Sequence, residues 1–212
     1  MNNREARELV IQDFDLRPFE AELYTQQLVQ FMDLDVLALE SCNLESFFPK
    51  GLGKLRRLSL MGNMVPSFSQ LILSDESEEE ARGRGNEFGR STIPEINLTH
   101  LNISDNQFEA FPWVAIHKMG PYLKKINMSR NNLTTLMDDN ERKIYKQIRL
   151  QVKQMAEPFS VFKELTSLDL SSNKLRHFPE ELINLTQLRE LNLMNNKIKS
   201  VPTAFFMAPD IQ

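Results

Sequence analysis

The chain has a single cysteine, Cys42, among 212 residues, so no disulfide can close within it. No run comes near the ~18 consecutive apolar residues that a membrane-crossing helix needs. The opening residues, MNNREARELVIQDFD, alternate charged and apolar side chains and contain no continuous apolar stretch of the kind a secretion signal requires. Positive charge is in deficit: 25 Lys and Arg face 29 Asp and Glu, for a formal net charge of −4. A uniformly basic nucleic-acid surface is therefore excluded, and any anion binding must come from a local patch. There are only three histidines, His100, His117 and His177, and none has a zinc-binding spacing or a partner cysteine. The glycine pairs Gly51/Gly53 and Gly83/Gly85 lack the spacing of a phosphate-cradling loop. The expectation is a binding protein, not an enzyme, with no cofactor and no membrane contact. It is expected in the cytoplasm, with the nucleus as the alternative.

What the chain has instead is repetition. The pattern L-x-x-L-x-L-x-x-N-x-L fits seven segments: ARELVIQDFDL from Ala6, LDVLALESCNL from Leu34, LRRLSLMGNMV from Leu55, LTHLNISDNQF from Leu98, LKKINMSRNNL from Leu123, LTSLDLSSNKL from Leu165 and LRELNLMNNKI from Leu188. Positions four and six are apolar, as in Leu37/Leu39, Leu58/Leu60, Leu168/Leu170 and Leu191/Leu193, and they alternate with mostly polar neighbours. That is the period of a strand with one buried face. Position nine is Asn63, Asn106, Asn131, Asn173 or Asn196 in five copies. A buried amide both donates and accepts, so stacked copies predict a ladder that satisfies the inward-facing backbone of each turn. Cys42 takes this position in the second copy, where a small, weakly polar thiol is tolerated. Phe14 takes it in the first, as suits a terminal repeat. The five N-x-S/T sequons, at Asn97, Asn102, Asn127, Asn132 and Asn184, follow from a repeat rich in Asn and Ser.

A further apolar anchor follows three residues after each motif: Phe19, Phe47, Phe68, Phe111, Leu136, Phe178 and Val201. Pro112, Pro179 and Pro202 directly follow three of these and predict the start of a helical turn, because the missing N–H is not needed there. The motif and this F/L-P step resemble the intracellular leucine-rich repeats of scaffold type. The resemblance implies an α/β leucine-rich repeat solenoid over residues 1–212, with a parallel sheet on the concave side and short helices or loops on the convex side. A second resemblance rests on REARELVIQDFDL and DLDVLALESCNLESFFPKGLGKLRRLSL. They are similar to the start of leucine-rich-repeat proteins that carry a C-terminal B3/B4 synthetase-like domain. This chain has no such domain, and the resemblance implies only an RNA- or translation-associated role for a longer protein.

The copies start at 6, 34, 55, 98, 123, 165 and 188, so two steps are about one repeat too long. Neither gap holds another Asn turn, and both follow the strand, which places insertions on the convex or flank side. The first, 74–91, is SDESEEEARGRGNEFGRS, with little that could pack, and is expected to be disordered. Within it Ser77, followed by Glu78–Glu80, suits an acid-directed kinase; a plain solvated loop is the other reading. The second, 138–158, reads as a helix with Ile144, Ile148, Val152 and Met155 on one side. Arg142, Lys146, Arg149 and Lys153 form the opposite stripe. It is read either as an outer brace with a solvated back or as a contact for RNA or an acidic partner.

Positions three, five, seven and eight should line the concave face. The residues expected to contact a protein partner there are Arg57, His100, Asn102, Lys125, Asn127, Arg130, Asp169, Glu190 and Asn192. The next repeat would begin at Ile211, and no polar capping helix precedes it. The edge at Leu191, Leu193 and Phe205 or Phe206 is expected to be continued by more chain or covered.

Overall fold

The structure, a computed structural model, describes residues 6–23, 28–31, 33–47, 52–68, 97–112, 115–116, 122–137, 143, 159 and 162–206. Both insertions lie essentially outside these residues. So do Ser77, His117 and the basic stripe Arg142, Lys146, Arg149 and Lys153.

Seven strands form one parallel sheet in sequence order: β1 Glu8–Gln12, β2 Val36–Glu40, β3 Arg57–Ser59, β4 His100–Asn102, β5 Lys125–Asn127, β6 Ser167–Asp169 and β7 Glu190–Asn192. The register follows the sequence motif residue for residue. Leu37 pairs with Leu58, Leu58 with Leu101, Leu101 with Ile126, Ile126 with Leu168 and Leu168 with Leu191. The long steps do not disturb it: Thr99 bonds Arg56 across 43 residues and Thr166 bonds Lys124 across 42.

Each strand is short because only positions three to five are extended in the last five copies. Positions four and six fill the core with Leu37, Leu39, Leu58, Leu60, Leu101, Ile103, Ile126, Met128, Leu168 and Leu170, all essentially inaccessible. Burying each such side chain contributes about 1.5–3 kcal/mol against the entropy of ordering the chain. Phe47, Phe68 and Phe108 stack along one side, with ring centroids 6.4 and 5.1 Å apart.

The side-chain ladder forms as expected. Asn63 Nδ2 donates to the Leu39 and Leu60 carbonyls, and its Oδ1 accepts from the Cys42 and Leu44 N–H groups. Asn106, Asn131, Asn173 and Asn196 repeat the arrangement, each accepting from the last motif residue of the preceding copy. Each also donates back to that copy's position-six carbonyl. Cys42 is half a rung. Its thiol points to the Ile11 carbonyl at 3.5 Å and the Glu40 carbonyl at 3.2 Å. A thiol accepts poorly, and the Leu16 N–H goes instead to the Cys42 backbone carbonyl. Burial pushes this thiol's pKa up, away from reactivity.

Position eight is left-handed in every copy: Asp13, Ser41, Gly62, Asp105, Arg130, Ser172 and Asn195 all have φ between 53° and 71°. The reversed residue aims its N–H at the position-seven carbonyl of the next copy, as Arg130 does to Ser171 at 2.9 Å. At position 62 an added Cβ would meet Ser41 Oγ at 2.8 Å, a contact that the rotatable serine hydroxyl can relieve. Asp, Asn and Ser are short and polar there; Arg130 is the exception and carries strain. Arg130→Asn should raise stability by about 0.5–1 kcal/mol, read as a higher urea midpoint at unchanged slope. An unchanged midpoint would mean that the arginine side chain offsets its own backbone strain.

The proline steps start turns as expected. The Pro112, Pro179 and Pro202 carbonyls accept from the N–H groups of Ile116, Leu182 and Phe205. The PEELINLTQL segment winds as a 3-10 helix over Glu180–Asn184. That tighter form spans more distance per residue, which suits a 23-residue step. Two anchors differ from expectation. Phe19 is 50% and Val201 38% exposed, because each belongs to a terminal copy with a neighbour on one side only among the described residues. At the C-terminal edge Leu191 and Leu193 are half-buried, while Phe205 is buried against Phe178 at 4.6 Å.

Candidate functional site

Parallel pairing in register converts sequence positions into rows across the sheet. Position three places Glu8, Val36, Arg57, His100, Lys125, Ser167 and Glu190 side by side. Position five places Asn102, Asn127, Asp169 and Asn192 in the next row. Neighbouring strands are about 4.8 Å apart, so each row is a continuous strip of side chains. Arg57, Lys125, Arg130 and Glu190 are exposed, and His100, Asn102, Asn127, Asp169 and Asn192 are half-exposed. Two other positions expected on this face are buried: Ala38, and Ser104, which tucks its hydroxyl 2.8 Å from Asn102 Oδ1.

The position-five residues do more than face outward. Asn102, Asn127, Asp169 and Asn192 each accept, through Oδ1, the N–H two residues on, at 2.8–3.2 Å. They close the strand end as the chain turns. Half of each polar tip is thereby committed to the fold, and at Asn102 and Asn127 the other half is left for a partner. Asn192 Nδ2 goes on to Asp169 Oδ2 at 3.1 Å, joining two copies across the row.

Electrostatics concentrate in the middle. His100 sits between Arg57 and Lys125, and its Nδ1 lies 2.9 Å from Thr99 Oγ1. Partial burial lowers the pKa of this imidazole, and the charges of Lys125, Arg57 and Lys124 lower it further. Folded His100 therefore stays neutral where the unfolded chain already binds a proton. The stability cost begins as pH falls through the unfolded value, near 6.5, and is complete below the folded one. A urea titration from about pH 7.5 to 5.5 should show this loss in the wild type and less of it in His100→Gln. An equal loss in both would assign the effect to other groups.

His177, by contrast, is exposed on the flank. There it lines a cleft of about 330 Å³ with Thr134, Thr135, Pro179 and Glu180, away from the sheet rows. No described helix is long and apolar enough to cross a membrane. The rows themselves are readable from the motif. The Oδ1 bonds of position five leave a fainter mark in the sequence, an Asn or Asp two residues before a turn.

Comparisons with known proteins agree with this geometry. Residues 97–119 match a family model described as "Leucine Rich Repeat", and residues 156–205 match one described as "Leucine rich repeat". Neither match reaches the first sixty residues, on which the resemblance to B3/B4-bearing proteins rests. The human oligodendrocyte-myelin glycoprotein is 28% identical over 181 residues, covering 85% of this chain and 32% of that protein. An adenylate cyclase of Podospora anserina is 31% identical over 113 residues, 50% of this chain but 5% of that protein, so the similarity concerns a small part of it. The chain thus spans a third or less of these relatives. Among solved structures, a TLR13–ssRNA13 complex superposes with a TM-score of 0.58 at 21% identity, over 92% of this chain and 22% of that one. This last likeness is one of fold. With seven motif copies in one register, an asparagine ladder and two family matches, the chain is a leucine-rich repeat protein.

Proposed function

We propose that this chain is a protein-interaction module, an adaptor without catalytic activity of its own, that holds a protein partner on its concave sheet face in the cytoplasm. The observation that carries the reading is the alignment of Arg57, His100, Lys125 and Glu190 in one solvent-facing row, beside the half-exposed amides of Asn102, Asn127 and Asn192. Charged ends over committed amides give a surface with both specificity and hydrogen-bonding capacity. Arg130, exposed at position eight of the fifth copy, adds a further cation to that surface.

The test is site-directed photocrosslinking in cells. A crosslinker at Met61 on the concave side should trap a partner, and one at Ile183 on the convex side should not. Arg57→Glu, Lys125→Glu and Asp169→Lys should each weaken the crosslink, whereas reversing Arg142, Lys146, Arg149 and Lys153 should leave it intact. The opposite pattern would favour the second reading, an arm of a longer RNA-associated protein that binds through the 138–158 stripe. In that case RNA would co-purify and the complex would dissolve steeply with salt.

A further inference from the structure

The position-three row has an order of signs. It begins acidic with Glu8, becomes basic through Arg57, His100 and Lys125 on three adjacent strands, and ends acidic with Glu190. Uncharged Val36 and Ser167 separate the zones, so each acid lies about 10 Å from the nearest cation. That is too far for an ion pair, and among the described residues neither Arg57 nor Lys125 has one. The Glu40 carboxylate accepts from Ser59 Oγ, two residues along β3 from Arg57, and Asp169 lies one strand from Lys125, about 7–8 Å away on the diagonal. The Asp169 oxygens are already engaged by the Ser171 N–H and by Asn192 Nδ2. The central cations are thus exposed and without ion pairs, and the acids of the row bracket them.

We infer that this row binds an acidic protein segment of about three carboxylates whose flanks are basic or neutral, a partner with the complementary order of signs. The inference deepens the concave-face reading above and rests on it. A nucleic-acid backbone fits the middle of the row less well than a peptide does. Its charge is of one sign throughout, so a strand crossing the sheet would carry phosphates over Glu8 and Glu190 at both ends. A peptide can be acidic at the centre and change sign two residues away.

His100 gives the row a pH response. The groups that face it are Arg57 from β3, Lys125 and Lys124 at β5, and the Thr99 hydroxyl beside its own strand. In the free protein these cations oppose its protonation. An acidic segment lying over the row reverses that local field, so binding takes up a proton and tightens as pH falls from about 7.5 to 6.

The test uses ¹H–¹⁵N spectra of the whole chain titrated with three probes. One is a short peptide with three central glutamates flanked by lysines, the second its charge-inverted counterpart, and the third a short oligouridine RNA. The expected result is that the first peptide shifts the signals of Arg57, His100 and Lys125. Its affinity should fall at least about tenfold in the Arg57→Glu/Lys125→Glu double variant at unchanged melting temperature. The tightening at lower pH should disappear in His100→Gln, and Arg57→Gln/Lys125→Gln should give an intermediate loss. Shifts on the sheet from the inverted peptide alone would overturn the acidic-partner inference while leaving the concave-face reading standing. Equal or tighter oligouridine binding on the same row would overturn it in favour of a general polyanion site. No shift from the first peptide at millimolar concentration would overturn it too, and the photocrosslinking result would then decide the broader reading by itself.

Discussion

Asn131→Ala is expected to lower the unfolding free energy by about 3–4 kcal/mol, a large loss for a single polar side chain. Asn131 Oδ1 accepts from the Phe108 N–H at 3.0 Å, and Nδ2 donates to the Ile103 and Met128 carbonyls at 2.9 and 3.2 Å. The residue is 5% exposed, so water cannot replace these partners without opening the stack. Alanine leaves a buried donor and buried acceptors unmatched, each costing about 1–3 kcal/mol, less whatever the neighbours recover by shifting. Asn131→Cys is the discriminating control, because Cys42 shows what a thiol does at this position: it donates to a carbonyl but leaves the N–H to another acceptor. Its loss should fall between wild type and alanine in a urea titration. A cysteine as costly as alanine would mean that the acceptor half, toward Phe108, dominates the rung.

Phe159→Ala should cost about 3–5 kcal/mol. This ring is fully buried outside any repeat motif, and it packs on Phe111 with centroids 4.8 Å apart and on Phe162 at 5.8 Å. Phe111 belongs to the fourth copy, whereas Phe159 and Phe162 precede the sixth, so the cluster clamps the chain on the return from the 138–158 segment. Alanine removes the transfer free energy of a large aromatic and leaves a cavity bounded by two rings that the sheet holds in place. The backbone at Phe159 has φ of 70°, a conformation that bulky residues rarely adopt. Phe159→Gly should therefore be no worse than alanine despite glycine's greater entropy in the unfolded chain. Thermal melts of the two variants side by side give the comparison. A loss below about 1 kcal/mol for either would show that the cluster closes over the gap.

The solenoid is legible in the sequence because its determinants are local and periodic. Leucines at positions four and six can sit in only one phase of a strand, and a one-residue slip would turn the whole set outward. The rung at Asn131 is legible for a similar reason: an amide recurring where the backbone turns has few other uses. The left-handed column at position eight is not, because Asp, Ser, Gly, Arg and Asn share no side-chain pattern, only a tolerance for the same backbone angle. Phe159 and Phe162 escape motif counting, which stops at the motif, while packing continues into the connection. Phe19 and Val201 share their position with apolar residues throughout, a pattern that points to burial. Burial, however, needs a neighbour on both sides. At the candidate site the row of Arg57, His100 and Lys125 follows from register, whereas the commitment of Asn102 and Asn127 to their own turns is only faintly marked in the sequence and becomes plain in the folded backbone.

The bonds between neighbouring copies run along the length of the solenoid rather than across it, from Arg7 to Asp35, Asp35 to Arg57, and onward to Thr166 and Glu190. Tension applied at the two ends therefore loads the interfaces in series. The weakest opens first, and each failure releases slack in a length set by the step behind it. A 21-residue step would release roughly 75 Å of chain, and the 42- and 43-residue steps roughly 150 Å each. Stretched between two anchors, the molecule would behave as a chain of breakable links of two sizes, with the two long steps as its largest shock absorbers.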